Sequence, residues 1–225
     1  LSCKIRFNTA SGNVSVPART YGGAVEIYST TNSYIATLGT AVGQTLNINS
    51  DFNLIASSTG TLPIKADTNN PTINIIGNLT TTKSSTGPLN LTMGSSTWSV
   101  GGNVDFTGAT VNPGTSTVNF TASSGTQTLT SAGQSFNNIT HSGAGTLQLS
   151  DTLNLNGNLL NDTGAGNLDV NGKDMNVAGS FTNNSTIINN TGTTTFNGTT
   201  AGKSIKSNGA SFNNVTVTNT GGLAG

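Results

Sequence analysis

A gapless internal repeat constrains this chain more than any other feature. Residues 119–140 (NFTASSGTQTLTSAGQSFNNIT) align with residues 195–216 (TFNGTTAGKSIKSNGASFNNVT). Phe120 matches Phe196, Gly133 matches Gly209, and Ser135-Phe136-Asn137-Asn138 matches Ser211-Phe212-Asn213-Asn214. Apolar positions stay apolar, since Leu129 meets Ile205 and Ile139 meets Val215. Two further pairs keep the same order: TINIIGNL (72–79) with TLNLNGNL (152–159), and TWSVGGNV (97–104) with DMNVAGSF (174–181). The offsets are about 76 to 80 residues, and a nearly fixed period marks a repeat architecture. The expected organisation is an N-terminal set of coils or a capping region over 1–60. A repetitive body over 61–225 follows, with imperfect copies at 72–151 and 152–225.

Within each copy the apolar pattern has period two and then breaks. In TINIIGNLT, Ile73 and Ile75 share one face, Gly77-Asn78 intervenes, and Leu79 begins a new series. In SFNNIT, Phe136 and Ile139 are three residues apart, a spacing that a straight strand cannot place on one face. A corner at Asn137-Asn138 resolves this, because Asn tolerates left-handed backbone and Gly adopts it freely. The same argument predicts corners at Gly77-Asn78, Gly157-Asn158 and Asn213-Asn214, with Phe136 and Phe212 entering the core. Asn53, Asn78, Asn103, Asn138, Asn158 and Asn214 recur as anchors. Their closest intervals, about 20–26 residues, fit one turn of a solenoid.

Glu26 is the only glutamate, while Thr, Val, Ile and Leu alternate with Asn and Gly. Such a chain favours strands and turns over helix. The fold class predicted is all-β, a right-handed parallel β-solenoid (β-helix), with β-sandwich repeats as the alternative. In the first 60 residues, KIRF (4–7), NVSVPA (13–18), AVEIYS (24–29) and SYIATL (33–38) read as strands. TLNINSDFNLIA (45–56) already carries the later pattern. Pro63 and Asn70-Pro71 are expected at corners or edges, since proline cannot donate to a ladder.

Charged residues make up only 7% and the formal net charge is zero. No basic stripe is available to neutralise phosphates, which argues against nucleic-acid binding. No apolar run approaches the ~18 residues of a membrane span. The chain opens at Leu1 without Met and reads as an excised or mature segment. Cys3, the single cysteine, forms no internal disulfide; Leu1-Ser2-Cys3 as a lipoprotein remnant is the less favoured account of it.

Candidate chemistry is sparse. His141 is the only histidine, which excludes a histidine pair for a metal, and it is expected on the solenoid surface. Asp162, Asp169 and Asp174 cluster around GAGNLDVNGKD (164–174) and faintly resemble a calcium-binding Gly/Asp repeat. Only one copy is present, so turn aspartates are the preferred account and no cofactor or metal is expected. Lys203 and Lys206 are close together without a carboxylate nearby. Scattered charges argue against a glycan-cleaving β-helix, and the Thr-rich runs 193–195 and 199–200 lack the regularity of an ice-binding ladder. Sequons at Asn78, Asn90, Asn119, Asn138, Asn161, Asn197 and Asn214 follow from Asn/Thr-rich composition.

The stretches GNVDFTGATV, GTQTLTSAGQSFNNIT, NLDVNGKDMNVAGSFTN and TTTFNGTTAGKSIKSNGASFNNVT resemble the β-strand repeats of large bacterial surface proteins. They are similar in style to filamentous haemagglutinin and autotransporter adhesins over about residues 44–223. The resemblance implies an extracellular, cell-surface structural and adhesive rod segment without catalytic residues. Its polar Thr/Asn/Ser faces would attach multivalently to a glycan or to a host or neighbouring cell surface. The alternatives are a carbohydrate-active β-helix enzyme and a self-assembling filament or sheath subunit associating end to end. Neither nucleic-acid binding nor membrane insertion is expected of this segment.

Overall fold

A computed structural model describes residues 3–30, 34–57, 59–84 and 86–224. No helix occurs among them. The chain forms parallel β-sheets wound as a β-solenoid, in two compact units, Leu1–Ser116 and Thr117–Gly225. Among the described residues the strand pairings are parallel, unlike the antiparallel ladders of a sandwich.

In the first unit each turn visits three faces. One face stacks Lys4–Asn8, Ala24–Ser29, Phe52–Ala56, Leu79–Lys83 and Val104–Asp105. The second stacks Val14–Val16, Ala36–Leu38, Leu62–Lys65, Leu89–Thr92 and Ala109–Asn112. The third stacks Thr20–Tyr21, Thr45–Ile48, Thr72–Ile75 and Thr97–Val100. Val25, Phe52, Leu79 and Val104 form one inward column, so successive turns take 27, 27 and 25 residues. Alternation drives this packing: inward residues such as Leu46, Ile48, Ile73 and Trp98 are fully buried, while their neighbours face out. Trp98 donates its indole N–H to Ser96 Oγ at 2.7 Å, so its polar atom is satisfied inside the core.

The strands expected in the first 60 residues are present at Lys4–Asn8, Val14–Val16, Ala24–Ser29 and Ala36–Leu38; Ser33, within SYIATL, lies outside the described residues, as do Leu1 and Ser2. Pro63 departs from expectation. It sits within the strand Leu62–Lys65, central in its sheet. The ladder to Ala36–Leu38 begins only at Ile64, so the donor that proline lacks is not required. Asn70 does turn a corner, with φ of 44°.

The second unit also has three faces. One stacks Thr117–Phe120, Asn138–His141, Leu159–Asn161, Phe181–Asn183 and Ile205–Lys206. Another stacks Thr126–Thr130, Thr146–Leu149, Leu168–Asp169 and Ile187–Ile188. The last stacks Ser135–Phe136, Leu153–Leu155, Met175–Val177, Thr193–Phe196 and Asn214–Val217. Phe136, Leu155, Val177 and Phe196 make one buried column.

The repeat copies do not share a face: Phe120 and Phe196 are both buried, yet they lie in different sheets, as do Ile139 and Val215. One expectation about the repeat is corrected: Phe212 does not occupy the buried environment of Phe136. It is half-buried and packs edge-on against Phe181 and Phe196, with ring centroids at 5.4 and 5.8 Å. Val215 and Val217, on the edge strand Asn214–Val217, are 49% and 52% exposed.

Candidate functional surface

The corners work differently from the backbone argument above. Asn78, Asn137, Asn138, Asn158, Asn213 and Asn214 all keep negative φ, as do Gly77 and Gly157; among the described residues the left-handed asparagines are Asn70, Asn171 and Asn208. The corner asparagines act through their side chains instead. In the first unit Asp51 Oδ1 accepts the Asn78 N–H at 2.8 Å, and Asn78 Oδ1 accepts the Asn103 N–H at 2.7 Å. In the second, Asn138 Oδ1 accepts the Asn158 N–H at 2.9 Å and Asn158 Oδ1 accepts the Ser180 N–H at 2.8 Å. Each corner side chain therefore caps the backbone donor one turn further on. Asn53 is no corner: it lies within Phe52–Ala56, and Asp51 takes the role assigned to it.

The preceding glycine makes room for this bond. A Cβ on Gly102 would lie 2.6 Å from Asn78 Oδ1, and one on Gly157 2.5 Å from Asn138 Oδ1. Close approach, rather than positive φ, explains the Gly-Asn dipeptide. Asn213 and Asn214 are exposed and belong to no such series. Asn214→Val is accordingly expected to shift unfolding free energy by no more than about 0.5 kcal/mol. Asn138→Val, which orphans the Asn158 N–H, should cost about 1 kcal/mol in the same denaturation experiment.

Outside, regular polar columns cover the strands. On the third face of the first unit, Thr45, Thr72 and Thr97 stack in register. Beside them run Thr20, Asn47, Asn74 and Ser99. Asn74 Nδ2 donates to Asn47 Oδ1 at 2.8 Å, which fixes both amides. The strands of this face contain no charged residue. The second unit carries a similar column, Ser135, Asn154, Asn176, Thr195 and Thr216, with Asn176 Nδ2 donating to Asn154 Oδ1 at 2.8 Å. Hydroxyls and amides thus recur about every 4.8 Å across the strands.

Among the described residues, ion pairs occur at two places on the first unit's outer surface: Lys65 Nζ lies 3.7 Å from Asp67 Oδ2, and a tighter cluster surrounds Glu26. Glu26 is 3% exposed at its side chain and pairs with Lys4 Nζ at 3.0 Å and with Arg6 Nε. Arg6 also lies over the Tyr28 ring, 4.4 Å from its centroid. Both carboxylate oxygens are thus engaged in ion pairs, Oε2 with Lys4 and Oε1 with Arg6. Asp162, Asp169 and Asp174 do not converge. Asp162 Oδ1 accepts the Thr163 N–H, Asp169 accepts from Gln148, Asn171 and Asn190, and Asp174 Oδ1 accepts the Thr193 N–H.

His141 overturns the surface assignment: it is 1% exposed and points into the second unit's core. Its Nδ1 contacts Asn161 Oδ1 at 2.9 Å and its Nε2 contacts the Gly145 carbonyl at 3.1 Å. Burial pushes the imidazole pKa below its ordinary value, and the hydrogen bonds to Asn161 and Gly145 partly oppose that. The signal was available in the strand NITH, where period two places His141 with Ile139. Asn161 and Asn183 follow it inward by the same alternation in LLN and FTN, and both are fully buried.

No family model, curated protein or solved structure matches the chain.

Proposed function

We propose that this chain is a structural and adhesive solenoid segment of a secreted or cell-surface protein, and that its outward Thr/Asn/Ser columns make the attachment. The observation that carries this reading is the uncharged face of Thr45, Thr72 and Thr97 beside Thr20, Asn47, Asn74 and Ser99. Its amides are held by their own bond, so binding would cost little side-chain ordering. Individually weak contacts repeated turn after turn add through effective concentration. Glycans suit such a face, since hydroxyl-rich ligands need alternating donors and acceptors and no net charge.

The test is binding of the purified chain to a glycan array and to intact cells, compared with Thr72→Lys/Asn74→Asp. That variant places charge at the centre of the face while leaving the inward Ile73 and Ile75 untouched. Retention is expected for the wild type and a loss of at least about tenfold for the variant, given the multiplicity of contacts. Equal binding by both, or none by either, would remove this face from the account.

A further inference from the structure

We propose that the buried column His141–Asn161–Asn183 is an acid-sensitive joint: proton uptake at His141 weakens the turns of the second unit that this column ties together.

The column's polarity is fixed from its far end. Asn183 Nδ2 donates to the carbonyls of Ser185 at 3.0 Å and Ser207 at 2.9 Å, so this atom must be the amide nitrogen. Asn183 Oδ1 then accepts from Asn161 Nδ2 at 2.7 Å, and Asn161 Nδ2 also reaches the Thr186 carbonyl at 3.1 Å. Reversing either amide would set oxygen against oxygen. Asn161 therefore turns its oxygen to His141 Nδ1, while Nε2 faces the Gly145 carbonyl.

Both ring nitrogens thus face acceptors. A neutral imidazole has one N–H and can satisfy only one of them. An imidazolium supplies both, but only as a charge in the interior. The two acceptor oxygens offset part of that charge, but the strands packed around the ring bring no carboxylate to it. The adjoining strand Thr117–Phe120 presents Val118 and Phe120 inward, and Leu159–Asn161 presents Leu159 and Asn161. Thr126–Thr130 and Thr146–Leu149 present Gln127, Leu129, Leu147 and Leu149, and the following turn buries Ala165. None of these groups titrates. Asp162 gives its backbone N–H to the His141 carbonyl, but its carboxylate is engaged by the Thr163 N–H. The buried carboxylate among the described residues, Glu26, belongs to the other unit and is already paired.

The sign follows from linkage. In the unfolded chain the ring titrates near its ordinary pKa of about 6.5. In the folded chain burial holds it lower. Between the two values the unfolded state binds more protons, so stability is complete above about pH 6.5, falls as the pH drops through that window, and levels off below the folded pKa. The chain has one histidine, so no other side chain with an ordinary pKa near 6.5 shares this range.

The experiment follows the single histidine's C2–H resonance of the intact chain by NMR against pH, together with denaturation midpoints at about pH 7.5 and about pH 5.5, on either side of the ordinary imidazole pKa. The same midpoints are measured for His141→Phe, which continues the aromatic character of neighbouring Phe120. Expected are an imidazole midpoint below the free-histidine value and a wild-type denaturation midpoint that falls on acidification. His141→Phe should lose that fall. An imidazole midpoint at or above the ordinary value, or the same acid sensitivity in wild type and variant, overturns the proposal. Should His141→Phe fail to fold, the wild-type titration alone decides.

Discussion

Phe136→Ala is expected to destabilise the second unit by about 3–5 kcal/mol, the usual range for deleting a buried phenylalanine. The ring is 1% exposed and stands in the column completed by Leu155, Val177 and Phe196. A solenoid turn cannot bury its apolar side chains alone, so a gap there removes contacts from the turn stacked against it as well as from its own. Phe212→Ala should cost less. Its ring is half-buried and contributes chiefly its edge-on contacts with Phe181 and Phe196, worth about 0.5–1.5 kcal/mol per pair beyond buried area. Thr216→Ala, at an exposed position, should fall within about 0.5 kcal/mol. Urea denaturation of the three variants ranks them. Equal losses at Phe136 and Phe212 would mean that the copies are packed alike, against the geometry described here.

Gly179→Ala is the second large effect. A methyl group at Gly179 would overlap the Gly157 carbonyl and lie 2.5 Å from Asn158 Oδ1. The carbonyl cannot retreat, because it accepts the Gly179 N–H at 2.9 Å, and Asn158 Oδ1 is held by the Ser180 N–H. Relief requires separating two stacked turns at the corner. Overpacking of this kind costs about 1–3 kcal/mol and sometimes more. Asn158→Ala removes the cap without a clash and should cost only about 1 kcal/mol. A Gly179→Ala chain as stable as the wild type would show that the corner can open freely.

Much of this fold is readable from short patterns. Period-two alternation in TLNI, TINI and TWSV identifies the inward residues, and the closest intervals between the anchor asparagines approximate one turn. What escaped was the physical role of those dipeptides. Propensity points to left-handed backbone at asparagine, but the bond that matters joins side chain to backbone across about 20–27 residues. No local rule contains a contact of that range. His141 escaped for a different reason. Its polarity suggested the surface, whereas its place two residues after Ile139 put it inside, where Asn161 and the Gly145 carbonyl meet its two ring nitrogens. The outer columns were foreseen as polar faces, but their register depends on turn lengths that the chain varies.

The mismatch between repeat and turn has a consequence for how such a protein meets its surroundings. From Thr117–Phe120 to Thr193–Phe196 the chain advances eleven strands, while three strands complete a turn. A duplicated segment therefore comes back rotated, its side chains aimed along a new azimuth. The motif kept in both copies of this pair therefore points in different directions instead of lining up in a single strip.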